Sequence, residues 1–141
     1  LIDDEVQIDA RNFEYDKSKD IFNASGKVKI NNLKENYLIF SDNVTYNKKL
    51  GKIFTKNNSK AITDDLLIEA NIFQYDQKQN ILEAKGKVKI DDKIENYTLE
   101  SNYLNYDRNL EKIFTRGKTK ALKLSSFIVN ILFKLILLYL N

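Results

Sequence analysis

The chain has 141 residues, of which 43% are hydrophobic and 30% charged, and its formal net charge at pH 7 is +3. It contains no cysteine and no histidine, which excludes disulfides, thiolate nucleophiles, Ser-His-Asp triads and the usual ligand sets for zinc and haem. The length is that of one ordinary domain, which buries about 70% of its unfolded surface. We therefore expect one domain of ordinary size that is not an enzyme.

The first 120 residues consist of two copies of one unit. Aligning the first 60 residues with the next 60 needs no gap and gives 25 identities. The run Gly26–Ile30 recurs as Gly86–Ile90, and Lys52–Thr55 recurs as Lys112–Thr115. Chance does not produce identity at this level along a whole unit, so an internal repeat is the strongest feature of the sequence.

Alternation of apolar and polar residues predicts β-strands in both copies. Val6 and Ile8, for example, lie between polar residues, with the period of two that a half-buried strand shows. The segment Tyr37–Phe40 is more continuously apolar, as a strand covered on both faces would be. No helical periodicity competes before residue 120. The alternation places the following residues on one apolar face: Val6, Ile8, Val28, Ile30, Val44, Tyr46, Leu66, Ile68, Val88, Ile90, Leu104 and Tyr106.

Polar clusters rich in turn-forming residues separate the predicted strands. In the first copy these clusters are Asp16–Asp20, Asn31–Asn36, Asn47–Gly51 and Lys56–Lys60. We expect strands of about five residues between them and an all-β fold that is a sandwich, a barrel or a β-solenoid. Gly26 and Gly86 precede equivalent strands, which predicts a bulge, a tight bend or a close backbone approach, and Gly51 should end a hairpin turn.

The apolar face allows two interpretations. It is either the closed core of an ordinary β domain or an open trough for an acyl chain or another apolar ligand. Both copies place aliphatic and aromatic residues in register, so stacked copies would extend one apolar strip along the molecule. A trough of this kind would stabilise a bound chain by about 0.8 kcal/mol per buried CH₂. An open interior would favour the trough, and a filled interior would favour the closed core.

The charged residues do not indicate a second site. Lys27 and Lys29, with their counterparts in the second copy, lie on the polar face, where solvation and protection of strand edges explain them. Acidic residues follow the tyrosines, as in Tyr15-Asp16, and would repel a phosphate backbone, so we expect no nucleic-acid partner. The acidic clusters lack the spacing of a calcium loop. We assign no catalytic residue, no metal ligand and no cofactor.

The hydrophobic tail, residues 122–141, breaks the repeat. Its apolar run from Phe127 to Leu140 is interrupted by Asn130 and Lys134 and falls short of the roughly 20 residues that span a bilayer. Three explanations stay open: a marginal membrane helix or interfacial segment, which would give a membrane contact; an element packed on the β domain; and a truncated or frame-shifted end. The chain also lacks methionine, so we expect it to be a fragment or a processed product.

The order of the repeated motifs resembles the OstA-like domains of lipopolysaccharide transport. Each copy reads Ala-x-x-Phe-x-Tyr-Asp, then Ala-x-Gly-Lys-Val-Lys-Ile, then Ser-x-x-Val/Leu-x-Tyr, and then Lys-Ile-Phe-Thr. The resemblance covers residues 1–121 and implies an open β-jellyroll, a V-shaped stack of short antiparallel strands built from the repeats 1–60 and 61–120. It leaves the hydrophobic tail unexplained.

The same resemblance implies a function and a site. Members of the family carry lipopolysaccharide across the periplasm to the outer membrane of Gram-negative bacteria, with the acyl chains of lipid A in the apolar interior. Their jellyrolls join edge to edge, which here implies partners added at the strands around Glu5–Ala10 and Lys112–Thr115. The resemblance implies that the apolar face found by alternation contacts lipid, and it adds four residues to that face: Phe13, Phe54, Phe73 and Phe114.

Two questions stay open at the level of sequence. The chain could be a stand-alone bridge protein, a membrane-anchored member, or the N-terminal part of the outer-membrane assembly protein, and the regular 60-residue period favours the last. The alternative to a lipid conduit is a structural or surface β-repeat domain with a closed core and no lipid ligand.

Overall fold

The protein was analysed as a computed structural model that describes residues 2–3, 6–123 and 135–139. The described part is almost entirely β, as the sequence predicts. Its strands are β1 (Ile2–Asp3), β2 (Val6–Asp9), β3 (Asn12–Asp16), β4 (Ile21–Asn32), β5 (Tyr37–Asn47), β6 (Lys52–Lys56), β7 (Ser59–Ile62), β8 (Leu66–Ala70), β9 (Ile72–Asp76), β10 (Ile81–Asp92), β11 (Tyr97–Asp107), β12 (Lys112–Arg116) and β13 (Lys120–Lys123).

The strand pattern follows the sequence repeat. Strands β3 to β6 recur 60 residues later as β9 to β12 with the same lengths. The predicted strand length of about five residues is wrong for the central pair of each copy, because β4 and β10 have 12 residues and β5 and β11 have 11. The predicted turn clusters do separate the strands, and Gly51 closes its turn by donating its N–H to the Lys48 carbonyl at 3.2 Å.

The long strands continue through a glycine bulge instead of ending there. Gly26 has a φ of 80° and Lys27 a φ of 50°, and the pairing of β4 with β5 shifts between Ser25 and Val28. The second copy repeats the bulge at Gly86, where β10 pairs with β11. A bulge leaves a residue unpaired and bends the strand. Of the three alternatives predicted at Gly26 and Gly86, the register shifts show a bulge.

Each bent strand contributes to two sheets, which we call the first and second arms. In β4, residues 29–32 pair with β2 in the first arm, whereas residues 21–25 pair with β3 in the second. In β5, residues 38–40 pair with β7 in the first arm and residues 43–47 with β6 in the second. Strands β8 to β13 repeat this scheme, and every pairing is antiparallel. The two copies join where β7 pairs with β8 and β6 with β9.

Backbone hydrogen bonds hold the two arms together at the corner, which we define as the line of bends between them. The Arg11 N–H donates to the Gly26 carbonyl at 3.1 Å, and the Asn71 N–H donates to the Gly86 carbonyl at 2.9 Å. Between these two bends, the Asn57 N–H donates to the Asn71 carbonyl at 2.8 Å. The corner therefore continues the sheet ladder across the junction of the two copies.

Buried hydroxyl groups add side-chain hydrogen bonds to the backbone groups of the corner. Ser41 donates to the Asn57 carbonyl at 2.9 Å, and in the second copy Ser101 donates to the Arg116 carbonyl at 3.0 Å. Thr55 accepts the Phe73 N–H at 2.9 Å and also hydrogen-bonds the Ser59 hydroxyl. Because an unsatisfied buried polar group costs about 1–3 kcal/mol, this cluster explains why a polar residue interrupts the apolar pattern at the centre of β5 and β11.

The inner faces of the two arms pack into one apolar core. Ile30 and Ile90 are completely buried, and so is Leu104. In the segment Tyr37–Phe40, Tyr37 and Ile39 are buried whereas Leu38 and Phe40 are half-buried on the outer face. The expectation that this segment is covered on both faces is therefore wrong, because nothing in the described part of the chain covers the outer side of β5.

The tail lies mostly outside the described residues. Strand β13 runs from Lys120 to Lys123, past the predicted boundary at residue 121, and residues 135–139 are helical. The three explanations for the tail concern residues 122–141, of which 124–134 and 140–141 are outside the described part. In the described part of the chain, no helix has the length and apolar character needed to cross a membrane.

The bend at Gly86 generates a stability prediction. A Cβ at this position would lie 2.7 Å from the Asn71 Nδ2 atom, and the φ of 77° disfavours any L side chain. We expect Gly86→Ala to lower the free energy of unfolding by about 1–2 kcal/mol, measured by urea denaturation. The control is Lys87→Ala, which replaces one L residue by another at a φ of 50° and should change stability by less than about 0.5 kcal/mol. Equal stabilities of the two variants would contradict the role assigned to this bend.

Candidate functional site

The structure brings most of the predicted lipid-facing residues into one interior. Those that are buried between the two arms are Val6, Ile8, Val28, Ile30, Val44, Tyr46, Leu66, Ile68, Phe73, Val88, Ile90 and Leu104. Tyr106 packs against the same core and is half-buried. These residues come from strands of both copies and both arms, so the alternation correctly identified a single continuous apolar face.

Phe13 lies on the same face but at its uncovered end. It pairs with Ala24 and its ring centroid is 5.7 Å from that of Phe22, yet it is 42% exposed, whereas its counterpart Phe73 is fully buried. The difference arises because β6 of the first copy covers β9. Among the described residues, no strand covers the corresponding side of β3.

Phe54 and Phe114 lie on the outer face, contrary to the expectation that they point inward. In β6, Ile53 pairs with Tyr46 and is buried, which turns Phe54 outward, where it is 39% exposed. Phe114 is 53% exposed, and the Arg116 guanidinium carbon lies 5.4 Å from its ring centroid. Two adjacent apolar residues leave the alternation ambiguous, and the register set by the preceding turn decides which of them faces inward.

The interior is filled by its own side chains. One apolar cavity of about 30 Å³ lies between the arms, room for roughly two water molecules and far too little for an acyl chain. The expectation of an interior already open to acyl chains is therefore wrong for this structure. The cavity is lined by Tyr37, Ile39, Ala61, Thr63, Leu66, Ile68, Tyr75, Leu82, Tyr106 and Arg108.

The cavity lies at the mouth, which we define as the side opposite the corner, where the tips of the two arms meet. A tyrosine pair spans the mouth: Tyr37 of the first arm and Tyr75 of the second have ring centroids 5.2 Å apart, with their planes at 83°. The Tyr37 hydroxyl accepts hydrogen bonds from Asn32 and from Gln77, each at 3.2 Å. Asn32 belongs to the first arm and Gln77 to the second, so the hydroxyl joins the two tips.

Arg108 completes the closure from the second arm. Its Nη2 atom donates to the Glu35 carbonyl of the first arm at 3.1 Å, and its guanidinium carbon lies 5.4 Å from the Tyr37 ring centroid. Its Nη1 atom donates to the Tyr75 hydroxyl at 3.1 Å and to Asn80 Oδ1 at 3.2 Å. We call the set formed by Asn32, Tyr37, Tyr75, Gln77 and Arg108 the clasp.

The mouth and the corner are closed by different kinds of interaction. Backbone ladders and a continuous chain hold the corner, whereas in the described part of the chain no backbone–backbone hydrogen bond joins the tip of one arm to the tip of the other. Side-chain contacts are formed and broken far more readily than a strand ladder. A separation of the arms that left the corner intact would therefore have to begin at the mouth.

The electrostatics of the clasp favour neutral tyrosines next to one cation. Burial raises the pKa of Tyr37 to about 12, although the hydrogen bonds from Gln77 and Asn32 and the charge of Arg108 act in the opposite direction. Burial also raises the pKa of Tyr75, and Arg108 partly offsets this rise. Within the described residues, no group of acidic side chains is arranged to hold a metal ion.

Sequence analysis missed the clasp, although two signals for it were present. A tyrosine occupies the positions of Tyr37 and Tyr97, and a basic residue occupies the positions of Arg108 and Lys48 in both copies. Glu35 and Arg108 are 73 residues apart, so a pattern of period two does not reveal their contact.

The structure also locates the edges of the sheet. Among the described strands, β12, at the predicted edge Lys112–Thr115, pairs only with β11, and β3 pairs only with β4. Strand β2, at the predicted edge Glu5–Ala10, is partly covered by β1.

The raised pKa of Tyr37 predicts a loss of stability at alkaline pH. The unfolded chain loses this proton near pH 10, whereas the folded protein keeps it until about pH 12. Between these values the unfolded state is increasingly favoured, so stability should fall by roughly 1 kcal/mol per pH unit on account of this one group. Tyr37→Phe should make the decline between pH 10 and 12 shallower by that amount in denaturation measurements. An unchanged slope would show that Tyr37 is not buried as described.

Comparisons with known proteins support the fold. No protein-family model matches the chain, and no curated protein matches it either. Among solved structures, the chain is similar to LptH, the LptA-homologous periplasmic component of the lipopolysaccharide transport device of Pseudomonas aeruginosa. The TM-score is 0.75 at 14% sequence identity, and the match covers 85% of this chain and 95% of LptH. The chain therefore has the LptA-like fold that its resemblance to OstA-like domains predicted.

Proposed function

We propose that this protein is a non-enzymatic conduit that carries lipopolysaccharide, with lipid A acyl chains held between its two arms. The observation that carries the proposal is an apolar interior whose mouth, among the described residues, is closed without any backbone–backbone hydrogen bond. The fold supports it, because LptH is a periplasmic component of a lipopolysaccharide transport device. In this proposal the buried residues of the inner face become the lipid-binding surface when the arms separate.

The contacts of the clasp are weak in comparison with the burial of an acyl chain. Two hydrogen bonds cross the mouth, from Gln77 to Tyr37 and from Arg108 to Glu35, and each contributes about 1 kcal/mol. The tyrosine pair and the cation–π contact add about 1 kcal/mol each. Ten buried CH₂ groups of one acyl chain would contribute about 8 kcal/mol. Burial of a single chain would thus offset the loss of the clasp contacts.

The proposal extends to partners and location. Among the described strands, β3 at one end and β12 and β13 at the other each pair on one side only, so other jellyroll proteins of a transport bridge could add strands there. Such a bridge places the protein in the periplasm of a Gram-negative bacterium, in association with the outer membrane. The hydrophobic tail would provide a membrane contact if it forms a membrane or interfacial segment.

One observation favours a second candidate function. The filled interior is what a structural or surface β-repeat domain with an ordinary closed core would have. In that case the clasp is a stabilising contact that never opens, and the apolar face binds no ligand. The two functions differ in whether lipid reaches Tyr106, which is half-buried and lines the cavity.

Photocrosslinking tests the conduit directly. Tyr106 and Phe54 are each replaced by p-azidophenylalanine, which preserves an aromatic ring at both positions, and the purified proteins are irradiated with lipopolysaccharide. We expect lipid adducts at position 106, which faces the interior, and none at position 54, which is 39% exposed on the outer face. Absence of adducts at position 106 in a protein with native circular dichroism would favour the closed structural domain. Equal adducts at both positions would indicate surface adsorption.

A further inference from the structure

Among the described residues, Arg108 is the one cationic residue that lines the apolar cavity. It is half-buried at the rim, and the other lining residues are aliphatic side chains, three tyrosines and a threonine. A site that combines an apolar cavity with a cation at its entrance is complementary to an amphiphile, with the chain inside and an anionic group at the rim.

The charge of Arg108 has only neutral partners in the described part of the protein. The guanidinium donates to a tyrosine hydroxyl, an asparagine amide oxygen and a backbone carbonyl. The ion pairs between described residues all use lysines, as Lys52 does with Asp76 and Lys60 with Glu69. Glu35 contributes its backbone oxygen to Arg108 and not its carboxylate. These three bonds use three of the five guanidinium N–H groups, and none of them brings a carboxylate to the positive charge.

We propose that Arg108 binds the phosphate of a lipid whose acyl chain enters the cavity, and that this exchange opens the clasp. This assignment rests on the proposed conduit function and names the contact through which the conduit recognises its cargo. The planar fork of the guanidinium matches two phosphate oxygens, and charge-assisted hydrogen bonds are roughly twice as strong as neutral ones. Binding phosphate withdraws Arg108 from Glu35 and from the Tyr37 ring, which removes two of the contacts between the arms.

The test compares lipids with and without phosphate. Binding of lipopolysaccharide, of the same lipopolysaccharide after enzymatic dephosphorylation, and of phosphatidylglycerol is measured for the wild type and for Arg108→Gln and Arg108→Lys. The matched control is Arg116→Gln, because Arg116 is exposed and also stacks on aromatic rings, with its guanidinium carbon 5.4 Å from the Tyr103 ring centroid. Thermal unfolding verifies that each variant is folded.

We expect Arg108→Gln to weaken binding of phosphorylated lipopolysaccharide at least tenfold. The same variant should bind the dephosphorylated form as well as the wild type or more tightly, because its clasp is weaker. Arg108→Lys should fall between Arg108→Gln and the wild type, and Arg116→Gln should behave like the wild type. If phosphatidylglycerol binds the wild type and binds Arg108→Gln as much more weakly as lipopolysaccharide does, Arg108 belongs to a general phospholipid site. If phosphatidylglycerol binding does not depend on Arg108, the phosphate that Arg108 recognises is that of lipopolysaccharide.

Two results would overturn the assignment. If Arg108→Gln strengthens binding of both forms of lipopolysaccharide, or changes neither, Arg108 belongs to a purely structural clasp and the conduit function stands without it. If the wild type binds neither form while remaining folded, the proposed function itself fails, and the role of Arg108 fails with it.

Discussion

The structure depends on a difference between the two sides of its interior. At the corner, glycine bulges let each long strand pass from one arm into the other, and hydrogen bonds such as that from Asn71 to Gly86 keep the ladder continuous. At the mouth, every contact between the arms in the described part of the chain involves at least one side chain. Backbone ladders are cooperative and hard to break locally, whereas isolated side-chain contacts open more readily. The fold therefore has one side fixed by backbone ladders and one side without them.

This difference makes a filled interior compatible with the proposed carrier function. An apolar surface of this size that stayed open to water would be unstable and prone to association, so closing it over itself is favourable in the absence of cargo. In the proposed function, a lipid chain would replace the contacts between the arms with contacts of the same apolar kind. Closed core and conduit would then be two positions of the same arms. The clasp residues Tyr37, Tyr75 and Arg108 would set the balance between them, because they provide most of the contacts across the mouth.

Much of the fold could be predicted from the sequence because the relevant signals are local. The period of two identified the inner face from Val6 to Tyr106, and the repeat showed that Gly26 and Gly86 have the same role. Strand length was underestimated because the polar residue Ser41 interrupts the apolar pattern and was interpreted as the end of a strand. In the structure the strand continues, and the Ser41 hydroxyl hydrogen-bonds backbone carbonyls at the corner. Phe54 and Phe114 were misplaced because register, not hydrophobicity, decides between two adjacent apolar residues.

The clasp could not be predicted, because it depends on how far the two arms close. Residues 40 positions apart, such as Tyr37 and Gln77, meet only after both copies have folded and stacked. The repeat itself indicates which end of the apolar face is exposed. Phe13 and Phe73 occupy equivalent positions in the two copies, and they differ in burial because Phe73 follows a complete copy whereas Phe13 does not.

The measurement that tests the central claim most directly is a reversible lock across the mouth. Because the chain has no native cysteine, Glu35→Cys with Asn109→Cys, two exposed positions on opposite tips, can be joined by a short bis-methanethiosulfonate reagent and released by a reductant. The control pair is Asn36→Cys with Asp64→Cys, whose native side chains hydrogen-bond at 2.8 Å within the first arm. If the arms must separate, the lock across the mouth should abolish lipopolysaccharide binding and reduction should restore it, while the control lock has no effect. Undiminished binding with the mouth locked would contradict the account.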